Sequence, residues 1–198
     1  GMYIKSGESI IFYTESASYS NEPIHTLVGE RDYVLIDGYG TEEDFAALGD
    51  ALRGKIAICS RGGSVSFYVK ANNAVKAGAI GVIVYNNTTG TINMDLSDYE
   101  YTAPCVSITQ ADGALLKANA TAVNGHYEGT FTISDEIASV AYEQAYYTMS
   151  DFSSWGVPGS LTIKPEITAP GGSIYSINGA ASGGQAYETM SGTSMAAP

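Results

Sequence analysis

The 198-residue chain carries 21 acidic and 9 basic side chains, a formal charge of −12, and 44% hydrophobic residues. That length has room for one domain of ordinary size plus an appendage, and the acidic balance disfavours nucleic acid as a partner because phosphates would be repelled. No stretch approaches the roughly 18 consecutive apolar residues that a membrane-spanning helix needs, while fifteen tyrosines beside few lysines suit a secreted surface.

In chain order, Ile24-His25-Thr26-Leu27-Val28 alternates like a strand, and Tyr33-Val34-Leu35-Ile36 is a second strand candidate. Thr41-Glu42-Glu43-Asp44 has the form of a capping box, with carboxylates in the first helical turn where the helix dipole favours them, and Gly49 as the stop. Lys55–Cys59 predicts a strand between Gly54 and the turn Arg61-Gly62-Gly63. From Ser66 onward Phe67, Ala71, Ala74, Val75 and Ala77 recur at helical spacing. Ala79–Tyr85 is a short β-branched run suited to a buried strand, and Asn86-Asn87-Thr88-Thr89-Gly90 breaks it. Ala103–Ile108 reads as a strand whose Pro104 is tolerable only near its start or on an edge. Thr109–Asp112 caps a helix carrying Leu115 and Leu116, and Tyr127–Ile133 alternates as a half-buried strand that His126 introduces.

Cys59 and Cys105 fall in separate predicted strands. They either bridge, if those strands are neighbours, or stay buried as thiols; the latter is the expectation, and no Cys-x-x-Cys pair points to a metal. Asp95-Leu96-Ser97-Asp98-Tyr99-Glu100 offers oxygen ligands, but the spacing matches no EF-hand loop and reads as a solvated acidic loop. Arg61 could meet a substrate carboxylate, although a turn arginine making local hydrogen bonds is the default. Trp155 reads as a core residue.

The segments Gly54–Gly62, Lys76-Ala77-Gly78-Ala79-Ile80-Gly81-Val82-Ile83-Val84-Tyr85-Asn86 and Ala103–Ile108 resemble the protease-associated, or PA, domain. Within the second, Gly78 ends a helix and Gly81 lets a neighbouring element approach the strand. The resemblance implies a mixed β/β/α architecture without catalytic residues of its own, acting near substrate entry as gate or recognition surface.

The chain closes on Gly192-Thr193-Ser194-Met195-Ala196-Ala197-Pro198. A serine among small residues before a proline suits a loop entering a helix, whose free N–H groups can stabilise negative charge. With Phe152-Ser153-Ser154-Trp155-Gly156, Lys164–Gly171 and Tyr187–Ser194 ahead of it, this string resembles the nucleophile segment of subtilisin-like serine proteases, closest to the cell-envelope type. The resemblance implies that Ser194 is the nucleophile of a secreted or wall-attached endopeptidase acting on proteins and peptides. Neither His25 nor His126 has the small, glycine-rich surroundings the family places around its catalytic histidine, so both read as partly exposed strand residues, and no Asp stands in an Asp-Ser/Thr-Gly setting. Because the family order is Asp, His, Ser, acid and base are expected before residue 1, and the fragment alone is expected to be inactive.

The expected organisation is therefore α/β: a lead-in at 1–23 left from the catalytic domain, a PA domain at 24–134, and a partial subtilisin-like segment at 135–198. No cofactor is called for, with calcium open in the parent protein. The last segment is expected to pack on the PA domain or to pair with a second copy as a homodimer. The competing reading is a non-catalytic PA-type module that binds peptide or another domain.

Overall fold

The computed structural model describes residues 1–16, 19–139, 149–153, 168–177 and 187–197. It divides into a unit built on Gly1–Ser139 and a second unit that follows it; each is described by itself.

The first unit is a nine-stranded mixed sheet. In chain order it comprises β1 (Met2–Ser6), β2 (Ser9–Phe12), β3 (Thr14–Glu15), a 3-10 turn (Ile24–Leu27), β4 (Gly29–Leu35), α1 (Glu42–Ala46), β5 (Ile56–Ser60), α2 (Phe67–Lys76), β6 (Gly81–Tyr85), β7 (Cys105–Ile108), α3 (Gln110–Ala118), β8 (Thr121–Val123) and β9 (His126–Ile137). The strand order is β2-β1-β9-β4-β5-β6-β7-β3, with β8 also paired to β9. Neighbours from β4 to β7 are parallel, and the remaining pairs are antiparallel. The parallel strands are buried on both faces, as crossover topology requires. Ile56, Ile58, Ile83 and Val106 face a core that includes Leu116 of α3. Ala57, Cys59, Val82, Val84 and Cys105 face the other core, which includes Phe45 of α1, Ala71 and Ala74 of α2, and Ile92, Met94, Leu96 and Tyr99 of the long loop after β6.

Local chemistry accounts for the boundaries. Thr41 Oγ1 accepts the Asp44 N–H at 3.1 Å while Asp44 Oδ2 accepts the Thr41 N–H at 3.0 Å, a reciprocal capping box as read from sequence. Thr109 caps α3 through its side chain alone, accepting the Asp112 N–H at 3.2 Å. Gly78 follows α2 with φ +107°, and a Cβ there would lie 3.1 Å from Arg53 Cα; one at Gly81 would meet Leu27 Cδ1 at 3.0 Å. Both glycines therefore do what the sequence pattern implied.

Three expectations are corrected. The lead-in at 1–23 is not apart from the next domain, because β1 pairs with β9 and β3 pairs with β7 in the same sheet. His25 does not lie in a strand: Pro23 precedes a 3-10 turn, and the histidine is exposed on it. His126 does open a strand, but its side chain is buried rather than partly exposed. The cysteines are free and buried. They sit on β5 and β7 with β6 between them, and two strand spacings of about 4.8 Å put them beyond disulfide reach. Burial pushes the Cys59 thiol up to about 12.

The second unit contains an antiparallel hairpin of β10 (Ile174–Ile177) and β11 (Tyr187–Met190), with Ile174 opposite Met190 and Ile177 opposite Tyr187, and a single helical turn α4 (Thr193–Ala196). Residues 154–167, including Trp155 and the Lys164-Pro165 part of the motif, and Gly183-Gly184 lie outside the described residues.

Candidate functional site

Ser194 is the second residue of α4 and is exposed. The chain reaches it through β11 and Gly192, which is in extended conformation and packs backbone to backbone with the loop before β10. The Gly192 N–H donates to the Gly171 carbonyl at 2.8 Å. A Cβ on Gly171 would sit 2.8 Å from the Gly192 carbonyl oxygen and 3.0 Å from Ala196 Cβ, so this crossing demands glycine. One step away, the Ser173 N–H donates to Ser191 Oγ at 2.8 Å. Gly171 and Ser173 thus hold the Ser191–Ala196 turn, and the Met195 N–H closes it on the Gly192 carbonyl at 3.2 Å. What results is a hydroxyl presented at the surface at the head of a short helical turn. Such a group is a weak nucleophile until a base removes its proton.

The structure does not supply that base in the second unit: both histidines belong to the first. His126 is held within the sheet, its Nε2 3.4 Å from Glu128 Oε1. The same oxygen receives Lys55 Nζ at 3.3 Å, and the hydrogen bond from Lys55 keeps the Glu128 carboxyl below the usual range. The Lys55–Glu128 pair is a partly buried electrostatic tie between the residue just before β5 and β9.

The loops at the carboxyl ends of β4, β5 and β6 form the other polar concentration, where open parallel sheets commonly bind ligands. Arg61 makes the local bond expected of it, Nη1 to Asn86 Oδ1 at 3.2 Å. Beneath lies Lys70, fully buried on α2, its Nζ donating to the Tyr39 carbonyl and, at 3.0 Å, to the Gly62 carbonyl. Burial lowers the Lys70 ammonium from its ordinary value, against the opposing pull of Cys59 and Asp44. Sequence reading passed over Lys70, although a lysine beside Ala71 and Ala74 on the apolar side of a predicted helix was its signal. In the acidic loop, Asp95 Oδ1 accepts the Ser97 N–H at 3.0 Å and the Tyr19 hydroxyl at 3.1 Å, which orders the loop through local bonds.

Residues 26–116 match the PA domain family. The chain is 35% identical to C5a peptidase of Streptococcus pyogenes over 167 residues, 84% of this chain and 13% of that protein. It is 35% identical to minor extracellular protease Vpr of Bacillus subtilis over 184 residues, 91% of this chain and 21% of that protein. With the PI-type proteinase of Lactococcus lactis it shares 35% identity over 185 residues, 90% of this chain and 9% of that protein. The chain thus spans less than a quarter of the length of these relatives. Among solved structures, BSAP, a zinc aminopeptidase from Bacillus subtilis, matches with a TM-score of 0.51 and 28% identity over 66% of this chain and 29% of that one. An aminopeptidase from Aneurinibacillus matches with a TM-score of 0.51 and 31% identity over 68% of this chain and 30% of that one. Together these matches make residues 26–116 a PA domain carried on an α/β sheet, within a chain homologous to C5a peptidase and the PI-type proteinase.

Proposed function

We propose that the chain is the PA-domain and nucleophile portion of an extracellular subtilisin-like serine endopeptidase. In this reading Ser194 attacks the scissile carbonyl of a protein or peptide substrate, and the PA domain acts as gate or recognition surface. The observation that carries the reading is Gly192-Thr193-Ser194-Met195-Ala196-Ala197-Pro198, with Ser194 exposed at the head of a helical turn that Gly171 and Gly192 hold in place. The alignment to Vpr covers 91% of the chain, so it is not confined to residues 26–116, and the parent relatives are named as a peptidase, a protease and a proteinase.

Ser194 Oγ forms the bond to the carbonyl carbon as its proton passes to an imidazole, and backbone N–H groups can hold the resulting oxyanion. Neither His25 nor His126 suits that imidazole role, one exposed on a turn and the other enclosed beside Glu128. The base is therefore assigned to other parts of the parent protein. In the full-length protein, Ser194→Ala is expected to lower peptide hydrolysis by at least roughly a thousandfold while leaving the protein folded. Retained hydrolysis in that variant rejects Ser194 as nucleophile. The 198-residue chain alone is expected to react with a fluorophosphonate probe far more slowly than the full-length protein.

The likeness to BSAP, a zinc aminopeptidase, and to the Aneurinibacillus aminopeptidase favours a second reading, a PA-type binding module in a protein whose chemistry is not serine-based. Asp-Ser/Thr-Gly and His-Gly-Thr-His-type motifs in the same gene ahead of this region decide for the serine peptidase; a gene without either decides for the module.

A further inference from the structure

α2 gives one side to the core and leaves another against the loop that follows β6. Between them, Tyr68, Val69 and Asn72 of α2 and Asp98, Glu100 and Tyr101 of the loop line an open groove of about 350 Å³, room for one long side chain. The groove is preformed. Asn72 donates from Nδ2 to the Asp98 carbonyl at 3.3 Å and accepts the Glu100 N–H on Oδ1 at 2.9 Å, so one amide pins the loop backbone to the helix. The flanking rings are anchored as well. Tyr68 packs on the core, and the Tyr101 ring lies 6.2 Å from that of Tyr99, which is buried and donates its hydroxyl to the Ala103 carbonyl.

Charge gives the groove a sign. The bonds to Asn72 use main-chain atoms of the loop, so the Asp98 and Glu100 carboxylates stay exposed, and neither makes an ion pair among the described residues. Lys76, one turn beyond Asn72 on α2, is the groove's own cation, but Glu42 already holds it at 2.8 Å. The hydrogen bond to Glu42 raises the Lys76 ammonium above its ordinary value, and the charges of Tyr101 and Glu100 add smaller pulls. Three carboxylates thus stand against one ammonium, which leaves two negative charges without a cation.

We propose that this groove binds an arginine side chain of a peptide, its guanidinium held by the Asp98 and Glu100 carboxylates and its stem laid along the Tyr68 and Tyr101 rings. A guanidinium suits the place better than an ammonium. Its planar fork reaches two carboxylates at once and also stacks on an aromatic face, whereas lysine offers a strongly hydrated point charge. Because Asn72 has already ordered the loop, the occupant does not have to order it on binding. The proposal rests on the recognition role given above to the PA domain and names the side chain recognised; Ser194 takes no part in it.

Titration of the nitrogen-15-labelled 198-residue chain with the peptide acetyl-Gly-Arg-Gly-amide, followed by NMR, tests this. Saturable shifts are expected at the Asn72 side-chain amide and at the Glu100 and Tyr101 N–H groups, while Val34, in the buried part of β4, holds steady. The same peptide with citrulline in place of arginine, neutral but of the same shape, is expected to cause none. Asp98→Asn combined with Glu100→Gln is expected to weaken binding at least about fivefold, and the bonds to Asn72 survive because they use main-chain atoms. Glu8→Gln combined with Glu30→Gln removes two exposed charges elsewhere on the unit and is expected to leave affinity within about twofold. No saturable shift with the arginine peptide, equal shifts with the citrulline peptide, or equal weakening in the two double variants overturns the groove. None of these results bears on Ser194, which hydrolysis by the Ser194→Ala protein decides separately.

Discussion

The two units of the chain handle apolar residues in opposite ways. In the first, strands and helices enclose two cores, and Ile4, Leu35, Ile56, Ile58 and Ile83 have no exposure at all. In the second, the hairpin leaves Tyr175 67% and Ile177 70% exposed, with the Tyr175 and Tyr187 rings stacked at 5.6 Å. The first unit draws its stability from burial that its own sequence supplies. A two-stranded hairpin has no such reserve, since pairs of this kind are marginal without a further surface to pack on. The serine that the functional reading depends on sits on the second unit, while the PA domain sits wholly on the first.

The comparison breaks most readily at the centre of the sheet. Ile58 lies between β4 and β6 with no exposed surface, so Ile58→Ala is expected to destabilise the chain by about 2–5 kcal/mol through lost burial and a residual cavity. Urea unfolding followed by circular dichroism checks it. A cost below about 1 kcal/mol would mean that the sheet is not the cooperative core. Next in size is Thr41→Ala, which removes one half of the α1 capping box and strands the Asp44 N–H. About 1 kcal/mol is expected in the same assay. An unchanged midpoint would show that α1 is held by Phe45 packing alone.

The first unit was also the more legible in sequence, for a physical reason. Its capping residues Thr41 and Thr109, its β-branched run at Ala79–Tyr85 and the glycines at 78 and 81 each act through neighbours close in the chain or through one packing contact. Strand order is another matter. β1 pairs with β9 more than a hundred residues later, and nothing local in Met2–Ser6 announces that partner, so residues 1–23 read as a separate lead-in. The strand-like alternation of Ile24–Val28 is overridden by Pro23 and by the hydrogen bond that the Ile24 N–H donates to Glu15 Oε1, which go with a 3-10 turn. Lys70 carries a further lesson. A polar residue becomes noteworthy only when tertiary packing buries it, and pattern reading treats such a lysine as an ordinary surface charge. At the candidate site the string around Ser194 is contiguous in the chain, so its pattern can be read without tertiary structure. The crossing of Gly171 with Gly192 that supports it joins residues 21 positions apart and emerged only from the structure.

Ile177→Ser gives the smallest expected effect and the sharpest view of the second unit. With 70% of its surface already in water, Ile177 has little burial to lose, and serine keeps a strand-compatible backbone opposite Tyr187. The expected change is within about 0.5 kcal/mol. Circular dichroism of the unfolding transition tests the bulk value, and the amide exchange of Tyr175 and Met190 tests the hairpin itself. A loss above about 1 kcal/mol in this chain would mean that the hairpin face is covered, for example by a second copy, and dilution would then lower the transition midpoint. On the proposed reading, a negligible loss here but a clear one in a longer protein that contains this segment would place the missing burial in the rest of that polypeptide. The turn that presents Ser194 would then owe its rigidity to neighbours outside residues 1–198.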